Sequence, residues 1–312
     1  MTGYTKRKRT LSNASPPSDS RVHGTTPPPS KPQIHDEDNS EARPTKRGKS
    51  QETSPTRKPV LPPVSRYLVA ANGGNHWNAT DSLQTIVVLG DSYSKSDDGG
   101  KTWVEFLDKR LRKMKNSPQI HNLASPGATA QDDLVDQVSR LFALFPKKDS
   151  PNAKPRLHPD KTTYFVFFGI NDCGSNDEDD LEPIIETIDD AVHDLYVKAG
   201  ARNIILIDVP PIDRSPQAIS TGISEEIGER VRRWNDLLQA QMTEFGTNSQ
   251  EATILMFSSH QVLSDVLDDP SEYDLSEDDP ETEGGGIWAD DLHLTAEVHD
   301  IIAERLFSSL SL

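Results

Sequence analysis

The stretch Thr85-Ile86-Val87-Val88-Leu89-Gly90-Asp91-Ser92-Tyr93-Ser94 decides how the rest of the chain is read. Four β-branched residues run into Leu89 and stop at Gly-Asp-Ser. A short unbroken apolar run bounded by glycine reads as a buried parallel strand. The tripeptide then places Ser92 at the carboxyl end of that strand, where open α/β sheets bind ligands. A serine hydroxyl there is a candidate nucleophile if another part of the chain supplies a base. Taken alone, Gly-Asp-Ser is a common tripeptide that is usually a turn, so the decision rests on what surrounds it.

Outward from this point strands alternate with helices. Trp103, Phe106, Leu107, Leu111 and Met114 mark one helical face. Gln119–Ala124 reads as a short strand ending in Ser125-Pro126-Gly127-Ala128-Thr129, and Leu134, Val138, Leu141 and Phe142 give a second amphipathic helix. The run Tyr164-Phe165-Val166-Phe167-Phe168 is the next strand and ends in Gly169-Ile170-Asn171-Asp172. Ile184, Ile185, Ile188, Ala191, Val192 and Leu195 form a third helical stripe. Asn203–Val209 is a strand, residues 224–245 a long helix and Thr253–Phe257 a fifth strand. The last helix starts near Thr295, a suitable N-cap, and buries Val298, Ile301, Ile302 and Leu306. This order predicts an α/β fold: a five-stranded parallel sheet with helices on both faces, built from right-handed βαβ units. Residues 265–283 carry ten acids and no base, and are expected to form a solvated loop.

Composition bounds the rest. Residues 1–63 hold 11 of the 23 prolines and show no period of 2 or 3.6. Such a segment buries too little apolar surface to offset its ordering entropy, so it is expected to be a disordered tail. Its basic clusters, Lys6-Arg7-Lys8-Arg9 and Lys46-Arg47-Gly48-Lys49, suit a nuclear import receptor. Residues 1–60 hold 12 Lys and Arg against 6 Asp and Glu, a charge of +6, while the remainder carries −23 of the net −17. A body that acidic repels phosphate backbones, so no nucleic-acid partner is expected for it. The single cysteine, Cys173, excludes an internal disulfide framework and is expected to be a packed thiol. The N-terminus lacks the apolar core of a signal peptide, and no apolar run approaches the ~20 residues of a membrane span. An intracellular protein, cytoplasmic or nuclear and without a membrane partner, is the expectation.

Three strands therefore end in small or polar residues at one sheet edge, at Ser92, Gly127 and Asn171. The segment Trp288-Ala289-Asp290-Asp291-Leu292-His293 adds an acid and a histidine. Each feature has a bland reading as a turn, a cap or a surface pair. Together they meet the needs of acyl transfer: a hydroxyl, a base, an orienting carboxylate and oxyanion donors.

Taken in order, Gly90-Asp91-Ser92, Gly127, Gly169-x-Asn171-Asp172 and Asp290-x-x-His293 resemble the four signature blocks of the SGNH (GDSL) hydrolase family, across roughly residues 84–310. The stretches Gly90–Ser94, Gly169–Asp172, Pro210–Pro216, Val266–Pro270 and Asp291–Thr295 are similar to the fungal acetylesterases of carbohydrate esterase family sixteen. The resemblance implies a three-layer, flavodoxin-like domain over residues 84–312, with residues 64–83 as a lead-in. It implies a serine esterase acting on small-molecule O-acyl esters, O-acetyl esters foremost and carbohydrate esters among them, with no cofactor and no metal. Ser92 would attack the ester, His293 would move the proton and Asp290 would orient the imidazole. The Ser92 and Gly127 N–H groups and the Asn171 amide would form the oxyanion hole. Asp91 and Asp172 read as structural. If the segment before His293 is a helical turn, a residue three positions back shares its face and one two back does not, which favours Asp290; Asp291 stays the alternative. Members of the acetylesterase group commonly carry a signal peptide and a Pro where this chain has Leu294. Two other readings stand beside the esterase: a catalytically inactive SGNH domain used as a binding or scaffold module, and a lipase or lysophospholipase.

Overall fold

The computed structural model describes residues 65–74, 76–114, 117–146 and 157–310. The chain divides into two units, Met1–Ser54 and Pro55–Leu312, and every described residue belongs to the second. The tail of residues 1–63 and both basic clusters lie outside the described residues. Six strands form one sheet: β1 (Leu68–Asn72), β2 (Thr85–Gly90), β3 (Gln119–Asn122), β4 (Thr162–Phe167), β5 (Asn203–Ile207) and β6 (Thr253–Phe257). Their order is β1-β6-β5-β4-β2-β3. All neighbours are parallel except β1, which runs antiparallel to β6.

The five strands β2 to β6 are those expected from the sequence. Every residue of β4 and β5 is buried, and so is all of β2 after Thr85. Strands buried on both faces need helices on both faces. Two groups supply them. The helices α1 (Trp103–Lys113), α7 (Ser259–Asp268) and α8 (Ala296–Ser309) pack among themselves. So do α2 (Leu134–Leu144), α4 (Leu181–Asp194) and α6 (Ser224–Asn248). Two short helices, α3 (Ile170–Ser175) and α5 (Pro216–Thr221), sit at loop starts. Among the described residues no helix is long and apolar enough to cross a membrane.

The sheet corrects the expected strand count. The supposed lead-in supplies a sixth strand, β1, at the edge. An antiparallel edge strand buries one face only, so Leu68 is buried while Val69 is half exposed, and no apolar run announces it. The pairing also bulges between Ala70 and Asn72, where the Asn72 side chain donates to the Ala252 carbonyl at 2.6 Å. The expected acidic loop starts inside α7. Val262, Leu263, Val266 and Leu267 are buried on its inner face, and the first acids of the stretch occupy its outer face.

The helix ends follow their cap residues. Thr102 opens α1 in a capping box with Glu105, and Thr295 opens α8 by accepting from the Val298 N–H. After β4 the chain turns at Gly169, whose φ is 117°. A Cβ there would sit 2.4 Å from the Trp234 ring and 2.5 Å from Val209, so only glycine fits. Gly200 has φ 73° but open space around it. The Gly200→Ala change should cost about 1 kcal/mol, from the left-handed backbone alone. Gly169→Ala should cost roughly 3 kcal/mol or more, adding the clash. Urea unfolding of both variants checks this ranking, and equal costs would refute it.

Candidate active site

Ser92 stands just beyond β2, where the strand ladder ends. Gln137 of α2, fully buried, replaces the lost partners: its side chain accepts from the Gly90 N–H at 2.9 Å and donates to the Gly90 carbonyl at 2.8 Å. Asp91 follows, with no exposed surface. One of its oxygens accepts from the Tyr93 N–H at 2.9 Å, and the other has no hydrogen-bond partner among the described residues. Burial pushes the Asp91 carboxyl up to about 7, against the Tyr93 donation and with a further push from Asp172. The turn so built leaves Ser92 at the surface of a cavity.

The loop after β3 carries Gly127. It is tied down from across the site by Asp172, which accepts from the Ala130 N–H at 3.0 Å and the Gln131 N–H at 3.2 Å. Burial raises the Asp172 carboxyl above its ordinary range, and these donations oppose the rise. Asn171, at the start of α3, donates one amide hydrogen to the Ala128 carbonyl at 2.9 Å. A primary amide has two such hydrogens, so this bond orients the group while its second N–H remains for a ligand. Gly127 and Asn171 are thus linked through Ala128.

The fourth segment is not the helical turn its spacing suggested. It is a bend closed by the Ala289 N–H donating to the His293 carbonyl at 2.7 Å, with Trp288 and Leu294 bridged beneath it. Asp290 organises it. One carboxylate oxygen accepts from the Leu292 and His293 N–H groups at 2.8 and 2.6 Å. The other lies 2.8 Å from His293 Nδ1. Partial burial works to raise the Asp290 carboxyl, but these donors outweigh it and hold the group below the usual range. An ionised carboxylate only accepts, so Nδ1 carries the proton and Nε2 of a neutral ring is the acceptor. That Nε2 lies 3.0 Å from Ser92 Oγ. The Asp291 side chain is exposed and its backbone carbonyl accepts from the Gln217 N–H.

The structure brings three of the five residues singled out in the sequence together: Ser92, His293 and Asp290 form an unbroken hydrogen-bonded line. Gly127 and Asn171 stand in two loops joined to each other through Ala128. Cys173 is fully buried beside them, and burial pushes its thiol well up.

The family model described as GDSL-like Lipase/Acylhydrolase matches residues 86–306. The chain belongs to this family. It is a carboxylic ester hydrolase. An acetylesterase of Thermothelomyces thermophilus is 26% identical over 229 residues, covering 67% of this chain and 74% of that one. Among solved structures, a carbohydrate acetylesterase from Sinorhizobium meliloti superimposes with TM-score 0.46 at 13% identity, covering 73% of this chain and 98% of that one. An acetylxylan esterase from Geobacillus stearothermophilus does so with TM-score 0.45 at 16% identity, covering 75% and 97%.

Sequence reasoning missed what joins the first and last segments of the esterase. The Tyr93 hydroxyl donates to the Leu292 carbonyl at 2.7 Å, so the residue after Ser92 holds the residue before His293. The two are 199 positions apart, and no local pattern records that. It also missed Gln137, a polar residue on an apolar helical face, which is the one signal that marks it.

The buried Asp91 makes a pH prediction. Its folded-state value is raised, so the folded chain keeps the proton longer than the unfolded chain does. Its contribution to stability is therefore full near pH 4 and is lost as pH rises to about 7. Each pH unit of that window is worth about 1.4 kcal/mol. Asp208, raised to about 6 by burial, acts in the same direction. Asp91→Asn removes the first dependence, so its stability relative to wild type should improve between pH 5 and pH 8. Thermal or urea melts at both values check it, and a constant difference would refute it.

Proposed function

We propose that this esterase hydrolyses small O-acyl esters, O-acetyl esters foremost and acetylated sugars among them, with Ser92 as nucleophile, His293 as base and Asp290 as its orienting carboxylate. The supporting observation is the line Ser92 Oγ to His293 Nε2 at 3.0 Å and His293 Nδ1 to Asp290 at 2.8 Å. As Ser92 Oγ attacks the ester carbonyl, Nε2 takes its proton, and Asp290 stabilises the resulting imidazolium. The carbonyl oxygen becomes an oxyanion facing the Ser92 and Gly127 N–H groups and the free amide hydrogen of Asn171. One such donor is worth roughly 3 kcal/mol at the transition state. The tetrahedral intermediate collapses, the C–O bond to the alcohol breaks, and Nε2 returns the proton to the departing oxygen. Water then repeats the attack on the acyl-serine, releasing the acid and restoring Ser92.

A cavity of about 250 Å³ lies on the Asn171 side, where Ile170, Ile212 and Leu292 line it together with Ser175, Ser215 and Gln217. Its small volume suits a short acyl group, and the Thermothelomyces acetylesterase points the same way. Hydrolysis of p-nitrophenyl acetate, butyrate and octanoate tests this. Acetate should be preferred, and Ser92→Ala should lose at least a thousandfold in kcat on it. Preference for octanoate would favour a lipase, and no turnover dependent on Ser92 would favour a binding module.

Asp290 and Asp291 separate by the same assay. Asp290→Asn would present an N–H to Nδ1 and force the wrong tautomer, a loss typically near 10⁴-fold in kcat. Asp291→Asn should lose tenfold at most. The reverse order would move the role to Asp291.

A further inference from the structure

A second cavity, of about 400 Å³, opens on the other side of Ser92 and His293. Asp97, Asp98, Lys101 and His299 contribute to its lining. We propose that this cavity holds the leaving alcohol and selects it by charge, favouring esters of protonated amino alcohols and rejecting esters of anionic alcohols. The proposal rests on the esterase reading above.

Its position follows from the proton path. Nε2 of His293 must reach the departing oxygen, so the alcohol lies on the His293 side. The proposed oxyanion donors and the smaller cavity, whose lining holds no charged side chain, are on the Asn171 side. The charge follows from the lining. Asp98 is fixed in place by the Ser96 hydroxyl and by the Gly100 N–H at 2.8 Å. These two donors, the hydroxyl first, hold its carboxyl below the usual range, and the field of His293 adds to them. Asp97, Asp98 and Asp290 face one cation, Lys101.

His299 adds no positive charge. It is only 5% exposed, and burial, with some help from His293, pushes its ring down to about 3. It is therefore neutral at any working pH. Its Nδ1 has no hydrogen-bond partner among the described residues. The carboxylates at the mouth of the cavity attract the charge of a protonated amine.

Three nearly isosteric acetates test the selection: 2-(dimethylamino)ethyl acetate, 3-methylbutyl acetate and 3-acetoxypropanoate. They are cationic, neutral and anionic at pH 7. Each kcat/KM is divided by the ester's own hydroxide-catalysed rate, which removes leaving-group reactivity. At low ionic strength the cationic ester should exceed the anionic one by at least about tenfold. In the double variant Asp97→Asn, Asp98→Asn the ratio should fall to within about threefold, and 0.5 M NaCl should do the same to wild type. Both carboxylates are on the surface, so folding of this variant is not at risk. Equal normalised rates for the three esters, or a preference that survives the double variant, overturns the proposal. Failure of wild type to hydrolyse any of the three would instead count against the esterase reading.

Discussion

Everything at the site depends on parallel pairing around β2. Its neighbours β3 and β4 run the same way, with Val88 opposite Asn122 and Gly90 opposite Phe167. Three chain segments therefore leave the sheet at the same edge and within a few residues of the same level. Slippage by one residue would turn each strand's side chains to the opposite face. In strands buried on both faces that is resisted by packing volume rather than by polarity. The close approach at Gly90 reinforces the register, since a Cβ there would lie 2.7 Å from the Phe167 carbonyl oxygen. The position of Ser92 is thus a consequence of how the core packs.

Beyond the strands there is no ladder, and short carboxylates take over its task. Asp91 after β2 accepts the Tyr93 N–H of the turn beyond it, while Asp208 after β5 accepts the His260 N–H at the start of α7 and Asp172 spans the gap between two loops. Burial raises all three above the ordinary range, so each is held at a desolvation cost. A carboxylate can serve two or more donors at once, which a neutral side chain of that length does less well. Asp290 uses the same device in a wetter place. There the donors outweigh burial, and the group keeps its charge. The difference in exposure separates carboxylates that hold loops from one able to stabilise an imidazolium.

The legible parts of this architecture are those with a local chemical signature. Four apolar runs and the short Gln119–Ala124 segment marked five strands, and the residues just after three of them, with the Asp290–His293 segment, marked the site. Thr102 and Thr295 marked helix starts. The edge strand β1 carried no signature, because half-exposed Leu68-Val69-Ala70-Ala71 has neither a full apolar run nor clean alternation. The geometry before His293 was also hidden: spacing pointed to Asp290, but through an imagined helical turn. The real cause is a bend in which one Asp290 oxygen collects two backbone N–H groups. Tyr93 and His299 were beyond reach for a different reason. Their roles arise from contacts with segments about 200 positions away in the chain, Tyr93 with Leu292 and His299 with Tyr93.

The split in formal charge between the two cavities bears on how so acidic a body can stabilise an oxyanion. Net charge −17 disfavours new negative charge anywhere near the surface. In the proposed reaction, however, the first step makes a pair of charges, one on the carbonyl oxygen and one on the imidazole. The fixed carboxylates are on the imidazole side, where Asp290 touches the ring and Asp98 contributes to its field. The oxyanion side offers backbone and amide N–H dipoles beside a cavity lined by no charged side chain, and dipoles act at short range without bringing a net charge of their own. The acidic side therefore favours the cation of the pair, and the neutral side accommodates the anion. No bound cation is required by this arrangement. Its cost falls on substrates whose alcohol is itself an anion, because that charge must enter on the side where the carboxylates stand.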